Sequence, residues 1–207
     1  MKHTRVGSLM TDDVISVDRA TSFKDVAKLL AEHGISAVPV LDEDEQVIGI
    51  VSESDLLARK ALTAGDLMSS PAVTVYAEQT VPEAARLMTQ GSVERLPVID
   101  EEDRLVGIVT RGDLLRVFLR PDSEIRGRVI QDILTDTMGI SAGTVDVHVL
   151  GGVVTLAGQL EKASQIPILL RLTEQLDGVV GAVGQLTAHT DDSRLIPRES
   201  RPNRIPW

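Results

Sequence analysis

The sequence predicts a chain of the α+β or α/β class. Two copies of a β-α-β-β-α unit pack about a pseudo-twofold axis and are followed by a smaller α-β-β-α-β unit. Three observations predict this. Residues 6–57 align with 64–115 at a constant offset of 58 without a gap, and a repeat of this length marks a repeated structural unit. Within each copy, strand-like apolar runs exchange with a one-sided helical stripe. Beyond residue 121 the pattern changes and does not return. The core must be built from Val, Ile, Leu and Ala, because Phe23, Phe118, Tyr76 and Trp207 are the only aromatic residues.

In the first copy, Val14–Val17 reads as a short strand. Ser22 is a candidate N-cap with Asp25 three residues on, and Phe23, Val26, Ala27, Leu29 and Leu30 form the stripe of the helix that follows. Ala37–Leu41 and Val47–Ser52 are strands joined by the acidic turn Asp42–Glu45, a hairpin pattern. A second helix begins near Ser54. The second copy repeats each step. Thr80 and Glu83 form the cap pair, Val81, Ala84, Ala85, Leu87 and Met88 the stripe, and Leu96–Ile99 and Leu105–Thr110 the strands, with a helix from near Gly112. One copy of this size buries little surface alone; two related copies bury their sheets against each other and leave two similar sites between them.

The offset aligns Gly49-Ile50-Val51-Ser52-Glu53-Ser54-Asp55 with Gly107-Ile108-Val109-Thr110-Arg111-Gly112-Asp113, and Pro39-Val40 with Pro97-Val98. On these motifs residues 6–118 resemble a tandem CBS-domain pair, a Bateman module. The resemblance implies binding of an adenosine-containing ligand (AMP, ADP or ATP) between the copies. It places Asp55 and Asp113 on ribose, Ser52 and Thr110 on ribose or phosphate, and the early-strand and proline-flanking residues around adenine. It also implies a disc-like homodimer through the helices. The residues themselves suit this chemistry. A helix start offers N–H donors and a positive dipole end to phosphate, a carboxylate accepts from ribose hydroxyls, and Ile15, Pro39, Val73 and Pro97 offer flat apolar surface. The same Ser/Thr-x-x-Asp spacing is also an ordinary capping box that needs no ligand. The copies are unequal: Arg111 replaces Glu53 and Arg95 replaces Ala37, with Arg116 and Arg120 after the second motif and Arg59 and Lys60 after the first. Arginine presents a planar fork to phosphate, so the Thr110/Arg111/Asp113 site is expected to favour a phosphorylated ligand, unless these arginines pair with surface acids.

In the last third, Ile125, Val129, Ile130, Ile133 and Leu134 fall at helical spacing. Val145–Val149 alternates as a strand, Gly151-Gly152 signals a hairpin turn, and Val153–Leu156 returns. Ser164 is a candidate cap for a helix through Ile168, Leu169, Leu172 and Leu176, stopped by Gly178; Val179–Ala188 is the last strand. Gly151–Gly158 and Leu176–Val179 resemble the hairpin and Gly-Val element of a BON domain, a family associated with envelope proteins. With no aromatic residue and four Lys+Arg in 121–190, the segment lacks membrane anchors and a basic face, which favours partner docking or self-association. The expected domains are 1–62, 63–121 and 122–190, with 191–207 a disordered Arg/Pro-rich tail.

A net charge of −10 argues against nucleic acid as partner. The absence of cysteine excludes disulfides, thiol catalysis and Cys-based zinc sites. His3, His33, His148 and His189 lack metal-ligand spacing, and no catalytic motif is present, so neither enzyme activity nor a required cofactor is expected. No apolar run reaches signal-peptide or membrane-span length, and a cytoplasmic location is expected. Two functions fit: a non-catalytic nucleotide-sensing regulator that relays binding through its last domain, or a structural adaptor whose repeats form a dimerisation scaffold.

Overall fold

The computed structural model describes residues 3–58 and 61–192. The chain divides between Arg116 and Val117 into two compact units. In the first, one repeat comprises β1 (Val17–Asp18), α1 (Phe23–His33), β2 (Ala37–Leu41), β3 (Val47–Ser52) and α2 (Glu53–Ala58). The other comprises α3 (Ala64–Leu67), β4 (Val75–Tyr76), α4 (Val81–Gln90), β5 (Arg95–Ile99), β6 (Leu105–Thr110) and α5 (Arg111–Leu115). The expected caps form. The Ser22 hydroxyl accepts from the Asp25 N–H at 3.3 Å, and the Thr80 N–H and hydroxyl both donate to Glu83 Oε2 at 2.7 Å.

Each repeat carries a three-stranded sheet, in the orders β1-β2-β3 and β4-β5-β6, with the first strand parallel and the hairpin antiparallel. The first strand is shorter than Val14–Val17 and lies further on. Val17 pairs with Val40 and Asp18 with Leu41, so the ladder would next reach Pro39, which has no N–H to offer. Proline is tolerated in β2 for the same reason: at Pro39 the strand has a neighbour on one side only. Pro97 and β4 repeat the arrangement.

The leading segments of the repeats are exchanged. Val6 and Gly7 donate to the carbonyls of Gln79 and Ala77, while Ala64 and Gly65 donate to those of Thr21 and Arg19. Thr11 exchanges two backbone hydrogen bonds with Ile108 on β6, and Ser69 does the same with Ile50 on β3. Ala64 and Leu67, in sequence part of the second repeat, thereby complete the apolar core of the first, with Val17, Val26, Leu30, Val38, Val40 and Val51. The motif glycines permit this crossing. A Cβ on Gly49 would collide with the Met68 side chain, and one on Gly107 with Met10.

The second unit contains α6 (Asp122–Arg128), continued by a π-helical segment Val129–Thr135, then β7 (Val145–Leu150), β8 (Val153–Lys162), α7 (Gln165–Glu174) and β9 (Gly181–Thr190). The sheet order is β7-β8-β9, with β8 and β9 parallel. β7 alternates buried and exposed residues over an all-aliphatic core that includes Ile125, Ile133, Val147, Leu156 and Leu169; His148 faces outward. Gly151 and Gly152 take φ of +58° and +77°, the backbone of a two-residue hairpin turn, and the Asp122 carboxylate accepts both their N–H groups at 2.8 and 2.9 Å. Three expectations shift. Ser164 stands at the helix start, but its hydroxyl donates to Asp192 at 2.7 Å rather than capping. α7 ends at Glu174, before Gly178, as Leu176 N–H turns back to Thr173. β9 begins at Gly181, because Val179 is drawn into the core and the Val180 N–H bonds the Gly152 carbonyl. Of the expected tail 191–207, Asp192 is tied to Ser164; residues 193–207 with Trp207, and Arg59 and Lys60, lie outside the described residues.

Candidate ligand site

Strand pairing sets where the motif residues stand. Ala37 is opposite Ser52 and Pro39 opposite Ile50, so by strand alternation these four share one face of the first sheet. Arg95, Thr110, Pro97 and Ile108 share the corresponding face of the second. The opposite faces carry Val38, Val40 and Val51, and Leu96, Val98 and Val109, all fully buried. Pro39 and Pro97 are buried; Ile15 and Val73, at corresponding positions, are half-buried.

At both helix starts the capping box closes. Asp55 Oδ2 accepts from the Ser52 N–H at 2.9 Å and its hydroxyl at 2.6 Å, and the Asp55 N–H returns to Ser52 Oγ at 3.3 Å. Asp113 Oδ2 accepts from the Thr110 N–H at 2.9 Å and hydroxyl at 2.7 Å, with the Asp113 N–H on Thr110 Oγ1 at 3.3 Å. The N–H groups expected to face a phosphate are therefore largely taken. The Glu53 N–H bonds the Ser36 carbonyl at 3.0 Å and the Arg111 N–H that of Glu94 at 3.1 Å. With six and five residues, α2 and α5 also have little dipole to offer.

The arginines are arranged differently from one another. Arg111 is half out in solvent, bonded to the Val93 carbonyl at 3.2 Å and 3.7 Å from Glu94. Arg116 lies 3.3 Å from Asp113 Oδ1. Arg120, in the second unit, bonds Glu124 at 2.7 Å. Arg95 crosses between the repeats. Its Cα stands opposite Thr110, yet its Nη2 donates to the Ser36 hydroxyl of the first repeat at 2.6 Å. Ser36 adjoins Ala37, the partner of Ser52, so the Arg95 guanidinium reaches toward the first half-site and not only the second. Ser36 was missed by sequence reasoning. The signal was available, since the offset sets Ser36 against Glu94, directly before the Ala37/Arg95 difference. No cluster of metal-ligating side chains is present among the described residues.

Two sheets related by an internal repeat, each presenting Ser/Thr and Pro on corresponding faces beside a capping Asp, define a tandem module of two like domains. The chain belongs to the CBS-domain family: the CBS domain matches residues 6–61 and 64–120, more than half its length. The C-terminal part, residues 121–188, is a BON domain. Over 125 residues the chain is 34% identical to the uncharacterized protein MK0525 of Methanopyrus kandleri, covering 56% of this chain and 64% of that protein, less than two thirds of its length. CBSX2 of Arabidopsis thaliana, solved in complex with AMP, is 33% identical with a TM-score of 0.53, covering 56% of this chain and 96% of that one. The CBS domain pair of protein MJ0100, solved with 5′-methylthioadenosine and S-adenosyl-L-methionine, is 29% identical with a TM-score of 0.54, covering 56% and 97%.

Proposed function

We propose that the chain is a non-catalytic regulator that senses an adenosine-containing nucleotide (AMP, ADP or ATP) between its CBS repeats. The observation that carries this reading is Arg95, which extends from its own repeat to Ser36 of the other, next to the sheet faces bearing Ser52 and Thr110. Asp55 and Asp113 receive the ribose, Ser52 and Thr110 the ribose or the first phosphate, and Ile15, Val73, Pro39 and Pro97 the base. Arg95 exchanges Ser36 for phosphate, which couples the two repeats to occupancy; Arg111 lends charge at the rim of the second half-site. Solved CBS pairs that hold AMP, or 5′-methylthioadenosine and S-adenosyl-L-methionine, support the ligand class. A cytoplasmic setting supplies such ligands, and the BON domain relays the signal to a partner. No helix among the described residues is long and apolar enough to cross a membrane.

One observation favours the adaptor reading. Both motif carboxylates are already engaged in capping boxes, and Leu57 and Leu115, equivalent positions on α2 and α5, are 90% and 60% exposed. That pair of apolar positions suits a homodimer of CBS pairs. Thermal unfolding of ligand-stripped protein with AMP, ADP, ATP, adenosine and S-adenosylmethionine separates the readings. At 100 times the dissociation constant a specific ligand stabilises by about 2.7 kcal/mol. A clear rise with one nucleotide, lost in Arg95→Ala, supports sensing; no rise with any of them leaves the adaptor.

A further inference from the structure

The two edges of the BON sheet are finished differently. β7, six residues long, has α6 packed against it, and Arg126 Nε donates to the Val147 carbonyl at 2.8 Å. β9 is ten residues long, and β8 is its only strand partner among the described residues. Its sequence, Gly181-Ala-Val-Gly-Gln-Leu-Thr-Ala-His-Thr190, contains no Lys, Arg, Asp, Glu or Pro. Edge strands of soluble proteins are normally protected by such residues, by shortness or by a cover, because an open edge is a template for another strand. Val183, Gly184, Gln185, Thr187, His189 and Thr190 are all exposed, and Val183 is 53% exposed.

We propose that this edge pairs with itself: two copies of the chain join β9 to β9, antiparallel across a twofold axis, and fuse their sheets into one of six strands. Charge selects the occupant. A chain of net charge −10 repels its own copy at most surfaces, whereas β9 brings no formal carboxylate or ammonium against its equivalent, so this edge escapes the like-charge penalty between facing residues. The geometry also closes. Residues directly opposite in an antiparallel pair must lie on the same face, so the axis must pass through a residue and not between two. An axis through Gln185 sets Val183 against Thr187 of the other copy twice, pairing β-branched residues on the exposed face, a favourable cross-strand combination. Ten residues give an edge about 33 Å long, and an isologous contact of this kind ends at two copies.

The cysteine-free sequence makes the test direct. In full-length chain, Gln185→Cys places the two thiols across the axis, where Cα separations of about 4.5–5.5 Å match disulfide geometry. Mild oxidation is expected to give a covalent dimer, whereas His148→Cys on the exposed face of β7 gives none. Light scattering of a Leu57→Glu/Leu115→Glu chain, which removes the proposed CBS-pair contact, is expected to report a dimer, and adding Val183→Lys and Gln185→Lys to reduce it to the single 22.3 kDa chain. A monomeric Leu57→Glu/Leu115→Glu chain, or a dimer in which position 185 cross-links no better than 148, overturns the proposal. Should the lysine variants lose their circular dichroism, the cross-linking result alone decides. Nucleotide binding to the CBS pair is read separately, so failure of either idea leaves the other standing.

Discussion

The two CBS repeats share most of their backbone course, yet they differ where a ligand would sit. Register, bulge position, capping box and the N–H bond from each helix start to the preceding strand all recur at the offset. The residues at 36, 37 and 53 are Ser, Ala and Glu; their counterparts at 94, 95 and 111 are Glu, Arg and Arg. The repeated residues thus fix two matching backbone frames, and the unrepeated ones make those frames electrostatically unequal. The inequality does not stay in its own repeat, because Arg95 reaches across to Ser36.

The harshest way to break the comparison is in the core. Leu96 and Val38 hold equivalent, fully buried positions. Leu96→Ala is expected to cost about 2–5 kcal/mol and Val38→Ala less, since fewer methyl groups are removed; urea unfolding of both variants measures the difference. Next is the motif carboxylate proposed to receive the ribose. Asp113→Ala removes hydrogen bonds involving a charged group, worth about 1.5–3 kcal/mol, and should weaken nucleotide binding roughly tenfold to a hundredfold by calorimetry. The matched Asp55→Ala shows which half-site is occupied. Arg95→Ala sharpens the comparison further. Affinity for a nucleotide should fall further than affinity for adenosine, because adenosine lacks the phosphate that Arg95 is proposed to contact, and titration with both ligands reads the split.

The smallest effect concerns the caps. Thr80→Ala should cost about 1 kcal/mol. The Thr80 N–H, and then its hydroxyl, hold the Glu83 carboxyl below the usual carboxylate range. A carboxylate depressed in the folded state stabilises above its unfolded pKa, and that stabilisation fades as pH falls through the folded value. The wild-type urea midpoint should therefore decline on acidification, and the decline should be shallower in Thr80→Ala, which lacks the hydroxyl half of the interaction.

How legible this was in the sequence varied by kind of interaction. β2, β3 and β6 were readable to the residue, because alternation and turn chemistry are local. The caps at Ser22 and Thr80 were readable because donor and acceptor stand three residues apart. β1 was misplaced because its length depends on Pro39, more than twenty residues away, as pairing partner. The cap at Ser164 failed because its hydroxyl found Asp192, 28 residues on. α3 went unseen because a four-residue helix has too short a period to show.

The internal repeat, its capping boxes and its aliphatic core were determined by the sequence alone, since each rests on residue spacing within a helix or hairpin. The offset also announced the charge difference between the motifs. Only the tertiary structure decided that the leading segments are exchanged between repeats, that Gly49 and Gly107 are the points where Met68 and Met10 cross, and that Arg95 belongs in reach to both halves. The physical reason is that each of these joins groups distant along the chain, through hydrogen bonds and packing that exist once the two repeats have closed on each other.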